Sequence, residues 1–172
     1  GKISLYLPTN ASAKEKEIAK IAASGNANEA MALTNKAIQT EKHTSGLLLL
    51  RIALYEILLQ EEKIPADFRQ LLNLPMGEEE LIRALDLADR LDELESGVKL
   101  GDRYIKEHGR HQPQAILLTA RMNSKLKQYS RAEQLLLLVL DDPPMRNFTY
   151  PELARVYVYW NKPEKLIALS TM

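Results

Sequence analysis

The 172-residue sequence predicts an all-α chain of short antiparallel helical hairpins, and three observations carry that prediction. Its seven glycines and eight prolines fall almost entirely between segments in which apolar residues recur with helical periodicity. No stretch sustains the period-two alternation of β-branched and aromatic residues that a half-buried strand requires. Four pairs, Ser12 with Glu15, Asn26 with Glu29, Ser130 with Glu133 and Thr149 with Glu152, have the spacing of a capping box, in which two side chains satisfy orphan backbone donors at a helix start.

Taken in order, the first two helices are predicted over 12–24 and 27–41, separated at Gly25. The third covers 46–61 and holds the longest apolar run, LLLLRIALYEILL at 47–59. Arg51 and Glu56 interrupt that run, and it falls short of the roughly 20 residues a membrane-spanning helix needs, so it reads as a buried helix. A helix over 65–73 follows Pro65 and stops before Pro75 and Gly77; the next two cover 78–95 and 97–108, ending in the turn from Gly109 to Pro113. Helices over 113–127 and 130–141 lead to an Asp-Asp-Pro-Pro stop at 141–144. The last two are predicted over 149–160 and 163–171, with Pro151 and Pro163 in their first turns, where a missing N–H costs little. Connections this short make sequential helices antiparallel neighbours.

The hairpins repeat. ARMNSKLKQYSRA at 120–132 and ARVYVYWNKPEKL at 154–166 begin alike at an offset of 34, and Ile116 maps onto Tyr150. Steps of 34 back from Ala132 meet Val98, Ile64 and Ala30, and steps back from Ile116 meet Ile82, Leu48 and Lys14. With Ala120, Tyr129, Ala132 and Pro144 in one unit, Ala154 and Tyr157 in the next, and Gly25, Ala27, Ala30 and Ala37 in the first, the chain resembles the tetratricopeptide repeat (TPR) family. The resemblance implies a right-handed superhelical solenoid of about five hairpins, a single repeat domain over 1–172 with units near 11–44, 45–78, 79–112, 113–146 and 147–172. Departures fall at Asp86 and Asp89, where the third unit should be small and aromatic, at Asn123, and at Ile64 followed by Pro65; the register over 60–100 is expected only to within a residue or two. The final unit stops within its second helix at an apolar Leu-Ile-Ala-Leu stretch. A piece of a longer chain, self-association of a homo-oligomer through this end, or simple packing of a short terminal helix is the expectation.

Twenty-three basic residues balance twenty-three acidic ones, so no net field draws the chain to nucleic acid or an anionic membrane. The absence of cysteine excludes disulfides, thiolate metal sites and thiol nucleophiles, and Gly1 to Leu7 lacks the pattern of a signal peptide. Cytoplasmic localisation is the default; a bacterial periplasm, or tethering through a membrane anchor removed from this chain, is equally compatible with the composition. Three histidines, including His108 and His111 beside a Gly-Arg turn, lack a third ligand and read as a polar turn. Asp86, Asp89, Asp92 and Glu93 lie on one helix, and Arg83, Arg90 and Lys99 stand at ion-pair spacing from acidic neighbours, which favours a solvated face over a cation site. No phosphate-binding loop, zincin or nucleophile-elbow motif occurs. Gly97-x-x-x-Gly101 reads as close helix packing. With the repeat, this predicts a non-catalytic protein-protein interaction scaffold that binds a peptide segment or a partner subunit of a multiprotein assembly and uses neither cofactor nor metal. Two alternatives stand beside it: a helical-repeat RNA-binding protein, and an all-α metal-dependent enzyme using the carboxylates at 86–93.

The resemblance further implies that first helices line a concave groove. Its walls would include Leu117, Arg121, Ser124 and Lys125 in the fourth unit and Pro151, Arg155, Val158 and Tyr159 in the fifth. Arg121 and Arg155, one repeat apart, would grip a carboxylate of a protein or peptide partner above an aromatic floor of Phe148 and Tyr159. The competing expectation pairs Arg121 with a neighbouring acid and puts the tyrosines in the core. Glu15, Ala19 and Ala53 stand where the family's carboxylate clamp uses Lys and Asn, so that chaperone-tail activity does not carry over. Leu49, Ala53 and Ile57 make the second unit's groove apolar, suited to an amphipathic guest or to intramolecular packing.

Overall fold

The computed structural model describes residues 4–172; the first three residues of the stretch examined for a signal peptide lie outside them. Among the described residues the chain is all-α. It runs through α1 (Ala13–Ala23), α2 (Ala27–Thr40), α3 (Ser45–Ile57), α4 (Ile64–Leu71), α5 (Glu78–Arg90), α6 (Leu94–His108), α7 (Pro113–Lys125), α8 (Tyr129–Val139), α9 (Pro143–Tyr159) and α10 (Pro163–Leu169), with a 3-10 turn at Glu61–Lys63. The chain forms two compact units that divide within α5, between Arg83 and Ala84.

Every hairpin closes with the same turn. Past the ends of α1, α3, α5, α7 and α9, the amides of Asn26, Gln60, Glu93, Gln128 and Lys162 donate to the carbonyls of Ile21, Tyr55, Ala88, Asn123 and Tyr157, at 2.7–3.3 Å. This is the Schellman closure, which needs a left-handed residue just past the cap. Gly25 (φ 94°) supplies it without strain, but Leu59 (57°), Asp92 (56°), Lys127 (62°) and Asn161 (57°) do so as well. Such a backbone costs a side-chain-bearing residue about 1–2 kcal/mol. Hairpin packing therefore imposes a conformation that these residues do not choose locally.

The left-handed residues also set the register, since they are spaced by 34, 33, 35 and 34 positions. The third unit is thereby shifted by one residue from a uniform count of 34. Gly97, not Val98, is buried in line with Ala30, Ile64 and Ala132. Leu81, not Ile82, joins Leu48 and Ile116 in the core, and Leu85 and Ala88 take the inward positions that uniform counting assigned to Asp86 and Asp89. The apparent departures of the third unit were a slip of one residue.

Several boundaries differ from the sequence expectation. α3 ends at Ile57 and α5 at Arg90, because Leu59 and Asp92 reverse the chain there, and α6 starts at Leu94. The Asp-Asp-Pro-Pro run begins a helix instead of ending one: Asp142 is its N-cap, and Pro143 and Pro144 open α9 six residues before the predicted start. Thr149 is consequently interior, donating from Oγ1 to the Met145 carbonyl at 2.8 Å, and Pro151 lies within the helix. Of the four predicted capping boxes, only Ser12 with Glu15 forms as such. Asn26 caps α2 without a side-chain bond, and Ser130 lies inside α8.

In the N-terminal unit α1 packs on α2, both pack on α3, and α3 packs on α4. Ile18, Leu47, Leu48, Ile52, Phe68 and Leu71 are almost wholly buried, each large aliphatic or aromatic side chain contributing about 1.5–3 kcal/mol. Arg51, which interrupts the apolar run, is not solvated. Its Nε and Nη2 donate to Oδ2 and Oδ1 of Asp67 at 2.8 and 2.6 Å, and its side chain and that of Asp67 are only 15% and 3% exposed. The Asp67 hydrogen bond holds the guanidinium above its ordinary pKa against the opposing effect of burial.

In the C-terminal unit α6 to α10 each pack on the next, and α7 also meets α9. Ile116, Leu117, Ala120, Ala132, Leu135, Leu136, Val139, Leu153, Val156, Tyr157 and Leu169 form its core. Within the terminal Leu-Ile-Ala-Leu stretch, Leu169 is buried and Leu166 packs against this core, leaving Ile167 exposed. Gly97 and Gly101 are close-packing positions: a Cβ at Gly97 would strike Met122, and one at Gly101 would strike Thr119.

Candidate functional site

The first helices α7 and α9 present side chains of matching spacing. Arg121, Ser124 and Lys125 are three and four residues apart on α7; Glu152, Arg155 and Tyr159 occupy one stripe of α9. Together with Lys127 from the α7–α8 turn and Tyr129 at the start of α8, they line an open cleft of about 390 Å3. Four of the residues expected at a partner groove, Arg121, Lys125, Arg155 and Tyr159, therefore meet in one place, with Ser124 among them. Four others do not. Leu117 is buried in the core, and Phe148, Pro151 and Val158, all exposed on α9, are not part of the lining.

The cleft carries four cationic side chains against one lining acid. Glu152 stands between the two arginines, its Oε1 3.1 Å from Arg155 Nη1 and 3.7 Å from Arg121 Nε. Arg121 also faces Asp89 at 3.6 Å, and Lys125 reaches Asp92 at 3.1 Å and Asp89 at 3.6 Å. The expected pairing of Arg121 with neighbouring acids is thus present, and so is the carboxylate between two arginines, supplied by the chain itself. The Arg121 contacts are long and its side chain is 38% exposed, whereas Asp89 and Glu152 are only 11% and 16% exposed, so water reaches each pair from the arginine side.

One wall is stiffened from behind. Tyr129 stacks on Trp160 with ring centroids 6.3 Å apart, and the ammonium groups of Lys162 and Lys165 lie 5.3 and 5.1 Å from the Trp160 ring. Lys165 also donates to Glu133 at 2.8 Å, and Glu133 accepts the Tyr157 hydroxyl at 2.7 Å. Burial raises the Glu133 carboxyl, but the hydrogen bonds from Lys165 and Tyr157 and the nearby lysines outweigh it and leave its pKa lowered. The Tyr157 hydroxyl is raised by burial and by that same carboxylate. Tyr157 therefore belongs to the core, as the competing expectation had it, while Tyr159 projects from the surface at 67% exposure.

Sequence reasoning missed Lys127, Tyr129 and Glu152 as cleft residues. Lys127 was concealed by its role in the turn, Tyr129 by its assignment as a repeat position, and Glu152 by its apparent role in a capping box. The carboxylates near residues 86–93 form no cation cage; among the described residues no three His, Asp or Glu side chains converge as metal ligands would. No described helix is long and apolar enough to cross a membrane.

No protein-family model matches the sequence, and no curated protein matches it. Solved structures do match the fold. MamA is similar over 96% of this chain and 92% of its own, at 11% identity and a TM-score of 0.65. YrrB, described as a TPR protein with an unusual peptide-binding site, matches over 91% of this chain and 80% of its own, at 11% identity and 0.67. A tetratricopeptide repeat protein from Parabacteroides merdae matches over 91% and 61%, at 20% identity and 0.59. Identities this low speak to architecture alone, and the architecture is clear: the chain has a TPR-like fold of helical hairpins.

Proposed function

We propose that the chain is a non-catalytic interaction scaffold whose C-terminal unit binds an acidic peptide segment of a protein partner in the α7–α9 cleft. The supporting observation is the set of Arg121, Lys125, Lys127 and Arg155 around an open cleft with Tyr129 and Tyr159, in which Glu152 stands between the arginines while Asp89 and Asp92 face Arg121 and Lys125. A guest carboxylate would replace Glu152 between the arginines, where forked, charge-assisted hydrogen bonds are available, while the tyrosines cover the adjoining peptide backbone. The peptide-binding description of YrrB agrees with a guest of this class.

The test is fluorescence anisotropy with a labelled Asp/Glu-rich peptide and a neutral amide control. Arg121→Glu/Arg155→Glu should weaken the acidic peptide by at least about tenfold, the loss expected of removing about 1.4 kcal/mol of charge-assisted contact. Equal affinity for both chains, or equal affinity for acidic and neutral peptides, would eliminate the proposed site.

A further inference from the structure

The segment before α1 lies against the helices of the N-terminal unit. Residues 4–11 form no helix, and Tyr6 and Pro8 lie against the first helices, sharing with Leu49, Leu50 and Ala53 of α3 and Arg83 of α5 a gap of only about 10 Å3. That is the least space a single water requires, so the segment is closely seated. The Arg83 guanidinium lies 5.1 Å from the Tyr6 ring centroid. Thr9 donates twice to one carboxylate, from its backbone N to Glu79 Oε2 and from Oγ1 to Oε1, both at 2.8 Å. Ala11 N then closes a turn onto the Pro8 carbonyl at 3.1 Å before α1 begins.

We propose that this groove is a second peptide site, specific for a non-helical partner segment of the pattern aromatic-x-Pro-Thr, and that Tyr6-Leu7-Pro8-Thr9 occupies it in cis until such a segment displaces it. The contacts are of the exchangeable kind: both Thr9 bonds are exposed, and Tyr6 remains 46% exposed. The internal segment also leaves the groove partly unfilled. Beyond Pro8 and Asn10 an open hollow of about 400 Å3 continues past His43, Ser45 and Met76, giving a longer guest contacts that the chain's own segment does not make. The pattern is selective for physical reasons. Proline brings no N–H donor to be left unsatisfied against Leu49 and Leu50, an aromatic two residues earlier reaches the guanidinium, and only a residue carrying both an amide and a hydroxyl grips Glu79 at both oxygens.

The experiment uses the full chain and a labelled Leu-Tyr-Leu-Pro-Thr-Asn peptide. A tethered competitor acts at an effective concentration on the order of millimolar, so the wild type should bind weakly. Tyr6→Ala/Thr9→Pro, which weakens only the internal segment, should bind at least tenfold more tightly with unchanged helical circular dichroism. Adding Glu79→Gln should reverse most of the gain. The proposal is overturned if wild type and Tyr6→Ala/Thr9→Pro bind equally, if Glu79→Gln has no effect, or if a scrambled peptide binds as well. Concentration-dependent dimerisation lost in Glu79→Gln, without peptide binding, would also overturn it in favour of exchange between copies. These readings are independent of acidic-peptide binding at Arg121 and Arg155.

Discussion

Arg51 and Arg121 are both arginines on first helices facing aspartates, yet they do opposite things. Arg51, in the N-terminal unit, is clamped by two short hydrogen bonds to an almost wholly buried Asp67. Arg121, in the C-terminal unit, shares long contacts with Asp89 and Glu152 and remains 38% exposed. Removing a partner from a buried pair strands a charge where water cannot reach it, whereas removing one from an exposed pair leaves a charge that water rehydrates. The first arrangement maintains a fold. The second is the arrangement that the proposed peptide site requires.

The largest expected effect probes the C-terminal unit where it has no slack. Ala132 is fully buried in the core, so Ala132→Arg adds both bulk and an unpaired charge and should cost more than about 4 kcal/mol, abolishing protection from hydrogen exchange across α7 to α9. Unchanged thermal stability would refute the repeat register. Next comes the comparison itself. Asp67→Ala should destabilise by about 3–5 kcal/mol in chemical denaturation, while Glu152→Ala should cost no more than about 1 kcal/mol. Equal losses would erase the distinction between a structural and an exchangeable arginine.

Acid should separate the same two regions. The folded-state pKa of Glu133 is depressed, so its contribution is present above the unfolded-state value and is lost as pH falls through the lower folded value. Denaturation followed from neutral pH down past the ordinary glutamate range should show a loss that Glu133→Gln no longer displays. Arg51 works in the opposite sense: its raised pKa gives a contribution lost only as pH rises above the ordinary guanidinium range, so that pair adds no basic limb at lower pH. The smallest effect is a gain. Leu59 is 79% exposed and left-handed, so Leu59→Gly should raise stability by about 0.5–1 kcal/mol, measurable as a higher Tm. No gain would mean that the Leu59 backbone is unstrained.

Much of the candidate cleft was legible because it rests on one periodicity. Arg121 and Arg155 share a register position, and Lys125 and Tyr159 lie one turn further along the same helices. Leu117 was misplaced because a residue one turn earlier on the same stripe faces the groove or the core according to how closely the neighbouring helix approaches, and a stripe carries no information about that distance. Lys127 and Tyr129 were missed for a related reason: one is the left-handed turn residue and the other the first residue of α8 just past it, and their side-chain directions follow from that turn and not from the period of α7.

By itself, the sequence determined the helices, their antiparallel pairing and the recurrence of the hairpin, because periodicity, Gly/Pro punctuation and short connections act within a few residues. Tertiary structure alone decided the one-residue slip of the third unit, the early start of α9, the burial of Arg51 against Asp67 and the seating of residues 4–11. Each of these turns on which of two locally acceptable arrangements packs without a void, a clash or a stranded charge. Gly97 rather than Val98 is the simplest case: local helix propensity favours neither strongly enough to fix the register, but only glycine lacks the Cβ that would strike Met122.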